Sequence, residues 1–416
     1  MSSRTAQIIT ICLLLGMGAV LYAQDTAAQD NRGFIYGHVV TESGTDYTGF
    51  LRWGDEEAFW DDLFHSTKND LPYMDMVDED SERDRKGNKR SLRIFRRIIS
   101  IDDDNWSSSR IFISRFGDIE EIRPSGGDDA DIKMKSGETF EVSGYANDVS
   151  DNIHVTDDEL GDVTLRWERI ESIEFMPPPA TADPGVWRLY GSVESDAGDF
   201  EGFIQWDKNE CLNIDKLDGE TEDGEVAIEF GRIRSIERRG RRGAIVELKD
   251  GRSYRLSGTN DVNDENRGIM VEDPRYGRVT VSWDAFDRIV FSEVRGSGRG
   301  YDEYKDNGPL QGTVTDRDGE RYTGRIVVDL DEAEGWEILN GSYRDVEFDI
   351  PFNTVASIAP DGYDESSVVL RNGERLTLED SQDVSDNNDG VLIFTEGDRD
   401  PVYVEWQEVE IIHFDW

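Results

Sequence analysis

The chain repeats itself, and this limits its possible folds more than any other property. Blocks at 134–175, 248–291 and 370–414 share a turn glycine (Gly137, Gly251, Gly373), an Asp-Val pair and a late tryptophan (Trp167, Trp283, Trp406) at nearly constant spacing. A different block precedes each of them. Those blocks align at Gly37, Gly191 and Gly312, at the aromatics Tyr47, Phe200 and Tyr322, and at Gly49, Gly202 and Gly324. They close on alternating segments at 116–122, 226–230 and 348–358, the second followed by Ile233 and Ile236. A long fixed period marks units that bury their apolar faces against one another.

The local pattern within each unit has period two. Val279, Val281 and Trp283 alternate with Thr280 and Ser282, and Val402, Val404 and Trp406 alternate with Tyr403 and Glu405. Such β-branched and aromatic alternation predicts half-buried strands, and the Asp-Gly and Asn-Gly pairs at 250–251 and 372–373 predict hairpin turns. No long segment has sustained helical periodicity. The expected fold is therefore all-β, in three tandem repeats, each of two small β-barrel-like or half-sandwich units. The expected boundaries are 33–176 with a surface insertion at 66–108, a Pro-rich linker at 177–185, 186–291, a Gly, Ser and charge-rich linker at 292–307, and 308–416.

The second block of each repeat opens with Leu or Met and a turn glycine three residues on. It closes in a form such as Gly277-Arg-Val-Thr-Val-Ser-Trp283 followed by spaced isoleucines. This pattern resembles the small SH3-like and Sm-like barrels, more closely in the second blocks than in the first. The nucleic-acid binding of some Sm-like proteins does not carry over.

Charge is the reason. Lys and Arg number 45 against 91 Asp and Glu, a net charge of −46. Phosphate backbones are bound by clustered cations that release counterions, so a nucleic-acid partner is excluded and an anionic membrane surface disfavoured. A hydrophobic content of 36% still supplies ordinary cores. Only about nine of the cations are Lys. Scarce lysine with abundant carboxylate points to salt adaptation, because at about 1 M salt the screening length falls to about 3 Å.

Residues 1–23 carry Arg4, an apolar run from Ile8 to Tyr22, and then Ala23, the layout of a signal peptide. Export, to the periplasm or outside the cell, is the expected fate, with no transmembrane segment after cleavage. Cys12 leaves with the signal and Cys211 remains, so no intrachain disulfide is expected.

The Asp-Val-Ser/Asn-Asp loops are the leading candidates for chemistry: Asp148 and Asp151, Asp261 and Asp264, Asp383 and Asp386, flanked by Asn147, Asn152, Asn260, Asn266 and Asn387. Two carboxylates, an amide and backbone carbonyls suit a weak Ca²⁺ site at about 10⁻⁴ to 10⁻³ M; the competing reading is that these residues cap their own turn. Glu57, Glu210 and Glu332 occupy matching positions after the first hairpin and fit either an acid or base for glycan cleavage or a turn role. Trp53, Trp206, Trp167, Trp283 and Trp406 end apolar strands and are assigned to the core, whereas Trp60, Trp106, Trp187 and Trp336 fall outside that pattern and are expected at the surface. The basic runs at 83–97 and 232–242 either dock an acidic partner or neutralise neighbouring acids. Cys211 is read as a small buried residue.

The expected function is a structural or binding role in the cell envelope or outside the cell, with an envelope protein or glycan as partner and no catalysis. The rival readings are carbohydrate recognition through exposed aromatics and glycan cleavage by paired carboxylates. No cofactor beyond weak Ca²⁺ is expected.

Overall fold

The computed structural model describes residues 30–54, 56–74, 76–77, 110–144, 148–157, 159–294, 296–305, 307–397 and 400–416. The signal segment 1–23, the basic run 83–97, Trp106 and Asn147 lie outside them. The described chain is almost wholly antiparallel β-structure, as its period-two patterning requires. Its first ten strands are β1 (Tyr36–Thr41), β2 (Asp46–Trp53), β3 (Leu63–Lys68), β4 (Arg110–Arg115), β5 (Ile119–Pro124), β6 (Asp129–Met134), β7 (Thr139–Ser143), β8 (Ile153–Asp157), β9 (Gly161–Leu165) and β10 (Ile170–Phe175).

Two five-strand groups arise from these ten. One runs β9-β8-β2-β1-β10 and the other β4-β3-β7-β6-β5, and the β5–β10 ladder joins them. The groups do not coincide with the sequence blocks. The first block contributes β1 and β2 to one group and β3 to β5 to the other, so each group mixes strands from both blocks. Strands from β11 (Tyr190–Ser195) to β20 (Phe286–Phe291), and from β21 (Gln311–Asp316) to β30 (Val409–Phe414), pair by the same scheme: β11 lies beside β20, and β21 beside β30. Among the described residues neither group closes on itself, so the sheets are open and the barrel form expected from the sequence is absent.

The aligned glycines have a steric cause. A Cβ at Gly49, Gly202 or Gly324 would lie 2.0–2.1 Å from the carbonyl oxygen of Thr156, Glu272 or Phe394 on the adjacent strand. Only glycine permits that approach.

The three ten-strand sets touch pairwise. The second and third share one apolar core, and β19 (Gly277–Val281) pairs with β24 (Val346–Pro351) to join their sheets. The first set has its own core, into which Trp336 from the third set and Tyr301 and Tyr304 from the expected linker insert. That linker is thus packed against the first set: the Tyr301 hydroxyl donates to the Ile119 carbonyl at 2.9 Å, and Lys135 Nζ sits 3.2 Å from the Tyr301 ring centre. The expected surface insertion begins inside β3, and Tyr73 and Met74 pack on the third set beside Val327 and Leu392.

Ion pairs complete the joints, buried at Asp62 and Glu337 and half-buried at Asp215. Asp62, Asp215 and Glu337 each accept two backbone amides of the turn after the first hairpin in their own set, at 2.6–2.9 Å. Each also meets a cation from another set: Arg278 reaches Asp62 at 2.8 Å, Arg52 reaches Asp215 at 3.3 Å, and Lys68 reaches Glu337 at 2.7 Å. Arg188 adds a contact to Asp61 at 2.8 Å. Buried charges that lose such partners are costly, so these pairs hold the sets in one relative placement.

Candidate functional site

The turn that follows the second strand of each set positions one group of acids. In the second set, β12 (Gly198–Trp206) ends at Trp206, and Asp207 and Lys208 both take positive φ, 52° and 63°. In the third, β22 (Arg321–Val328) ends at Val328, and Asp329 and Leu330 do the same at 50° and 61°. Gly54 stands at this position in the first set, with φ 53°. Two consecutive left-handed residues form the tight turn that Gly and Asn usually supply; Asp tolerates the conformation less readily than glycine. Paired backbone bonds between Val328 and Glu332, at 2.9 and 3.0 Å, then fix the glutamate, as they do for Trp206 with Glu210 and Trp53 with Glu57.

The Asp-Val loop brings the second group. Asp261 lies in the short 3₁₀ turn Asn260–Val262 and Asp383 in Gln382–Val384. The Asp261 side chain accepts the Asp218 amide at 2.6 Å, and its carbonyl accepts the Trp206 indole N–H at 2.9 Å. Asp383 accepts the Asn340 amide at 2.7 Å. Asp148 accepts the His65 amide at 2.5 Å, and its carbonyl accepts the Trp53 indole at 2.7 Å.

These two motifs converge. Asp207, Glu210 and Asp261 each offer an oxygen within 4.8 Å of the others, and so do Asp329, Glu332 and Asp383. The second aspartate of each loop goes elsewhere. Asp264 pairs with exposed Arg241 at 2.8 Å, the Asp386 amide donates to the Tyr363 carbonyl, and Asp151 lies beside Gly54 on a shallow cleft shared with Asn152, His154, Asn209 and Arg267. Each Asp pair expected to share a cation is therefore divided, one member facing inward and the other outward. Of the flanking amides, the Asn260 side chain donates to Asp207, the Asn266 side chain accepts the Gly268 amide, and the Asn387 side chain meets Ser385.

The third cluster is the most enclosed. Asp329, Asp383 and Glu332 are 1%, 8% and 9% exposed. Arg110 from β4 pairs with Asp329 at 3.3 Å and with Asp389, while Lys68 serves Glu337 and Asp331. Among the described residues Glu332 Oε2 has no hydrogen-bond partner. Burial, reinforced by Asp331 and Asp383, holds the Glu332 carboxyl well above the usual range; burial does the same to Asp329 against the pull of Arg110. Asp383 is pushed up to about 7 by burial, opposed by its bond from the Asn340 amide. In the second cluster burial, then Asp261 and Asp207, push Glu210 up to about 8, and burial takes Asp261 to about 6. Glu57 is raised well above the usual range by burial and then by Asp148. Such clusters either retain protons or exchange them for a cation.

The tryptophans divide differently from expectation. Trp53, Trp206, Trp167, Trp283 and Trp406 are buried as assigned, but Trp60 and Trp336 are buried too. Trp60 packs on Tyr301 with ring centres 4.6 Å apart, and Trp336 on Phe112 and Phe140 at 5.8 and 5.7 Å, so both anchor contacts beyond their own sequence block. Of the described tryptophans Trp187 and Trp416 are exposed. Four of the six arginines of the run 232–242 meet local acids: Arg234 meets Glu247, Arg238 meets Asp284 and Asp287, Arg239 meets Glu237 and Arg241 meets Asp264. Cys211 is buried among Phe34, Ala58, Phe59 and Leu212, which pushes its thiol well up.

Asp207 and Asp329 are the site residues that the sequence reading missed. Their signal is an acid aligned with Gly54, where a left-handed turn favours glycine. No protein-family model and no curated protein matches the chain. A search of solved structures gives a streptogramin B lyase structure at 10% identity, covering 72% of this chain and 94% of that one with a TM-score of 0.12, too low for a shared fold.

Proposed function

We propose that this chain is an exported, non-enzymatic protein with a structural or binding role in the cell envelope or outside the cell, built as three locked β units under a polyanionic surface. The observation that carries the reading is the use made of the buried cations. Of the buried cations Lys68, Arg188 and Arg278 tie one strand set to another, as does half-buried Arg110, while Arg115 pairs with Asp118 in its own set. Charged groups spent on joints favour a scaffold, and the excess of carboxylates at the surface favours solubility in salt. Among the described residues no helix is long and apolar enough to cross a membrane. Carbohydrate recognition through a row of exposed aromatics loses support, because most of the candidate tryptophans are core residues.

Fractionating the native host and sequencing the N-terminus of the recovered protein tests this. Recovery from the periplasm or medium, starting at Gln24, supports it; full-length protein in the cytoplasm overturns export. Release of reducing sugar from a panel of envelope and extracellular glycans would overturn the non-enzymatic reading.

A further inference from the structure

We propose that Asp329, Glu332 and Asp383 hold one Ca²⁺ ion at the joint between the first and third strand sets. The acids alone do not make the case. The second observation is Glu332 Oε2, a carboxyl oxygen on a residue nine-tenths buried, with no hydrogen-bond partner among the described residues. A buried polar atom without a partner is expensive, and it sits in a cluster whose other acids already have theirs. Asp329 takes the Asp389 amide and the Arg110 guanidinium, and Asp383 takes the Asn340 amide.

Charge leads to the same place. Asp329, Asp331, Glu332, Glu337, Asp383 and Asp389 surround two cations, Lys68 and Arg110, so with its protons released the cluster carries an excess of four negative charges. A divalent ion halves that excess. Oxygens within 4.8 Å of one another are within the span of a single ion with bond lengths of about 2.3–2.6 Å, as Ca²⁺ has. Mg²⁺ demands shorter, octahedral bonds and keeps several waters, which an enclosed site does not favour. The other two sets are poorer hosts. Gly54 removes one acid from the first, and in the second Glu210, whose Oε2 likewise has no partner among the described residues, is only half-buried, whereas all three acids of the third cluster are buried.

Calorimetry on the full mature chain, stripped with chelator and titrated with Ca²⁺ alone in molar NaCl, tests the site. High monovalent salt suppresses diffuse attraction to a polyanion far more than coordination. The proposal expects one saturable site, with affinity lowered at least tenfold in both Glu332→Gln and Asp383→Asn and unchanged in Asp386→Asn. Saturating Ca²⁺ should also raise the melting temperature of the parent and leave that of Glu332→Gln unmoved, a readout available because the variant removes a buried charge and keeps the side-chain shape. Absence of saturable binding, parent-like affinity in Glu332→Gln, or loss confined to Asp386→Asn would each overturn it, the last in favour of the outward loop acids.

Discussion

Lys68 Nζ lies 2.7 Å from Glu337 Oε1, both side chains almost fully buried, although 269 residues separate them in the chain. Glu337 meanwhile accepts the amides of Ala333 and Glu334, so one side chain both shapes its own turn and receives the first strand set.

Lys68→Met should therefore destabilise the protein by about 3–5 kcal/mol, because it leaves Glu337 and Asp331 buried without their cation. Adding Glu337→Gln should restore part of the loss. Denaturant unfolding of the single and double variants measures this, and additive losses would show that the pair is not coupled.

Glycines of two kinds should respond differently. Gly251 has φ 89° and open space where a Cβ would stand, so Gly251→Ala should cost about 1 kcal/mol through backbone strain alone. Gly202→Ala drives a Cβ to 2.0 Å from the Glu272 carbonyl and must push β18 (Ile269–Asp273) aside, at about 3 kcal/mol. Equal losses would contradict the close-approach account of the aligned glycines.

Both kinds of glycine were legible in the sequence, as were the strands and the buried late tryptophans, because each depends on local periodicity or on one residue type at a fixed offset. The interleaving of the blocks was not. Strand β2 pairs with β8 across about a hundred residues, and no local pattern specifies that partner. The joints escaped for a related reason: a cation such as Arg188 or Arg278 is not repeated in the sister copies, where Phe34 and Pro309 stand in place of Arg188 and Asp162 in place of Arg278. The acid clusters were half visible. Glu210 and Asp261 each stood out by recurrence, but 51 residues part them, and their meeting depends on the ladder of β12 with β18.

Raised carboxyl groups make a pH prediction with a definite sign. Glu210 titrates near the ordinary glutamate value of 4.5 when unfolded and at about 8 when folded, so between these values the folded state holds more protons. Stability therefore falls as pH rises from about 4.5 to 8. In chelator, the melting temperature of the parent should decline across this range more steeply than that of Glu210→Gln. Parallel curves would mean that Glu210 ionises normally.

Screening should stabilise the chain. Loss of Arg4 with the signal takes the net charge from −46 to −47, which repels strongly in dilute buffer. Melting temperature should rise from low to molar NaCl, and a flat response would remove the argument for salt adaptation.

The central claim is that the three strand sets form one locked body. Differential scanning calorimetry of the mature chain tests it most directly, since a single cooperative unit gives a calorimetric enthalpy equal to the van't Hoff enthalpy. The account predicts one transition with that equality, abolished when Lys68→Met and Arg278→Met are combined. Two or three separate transitions in the parent would contradict it.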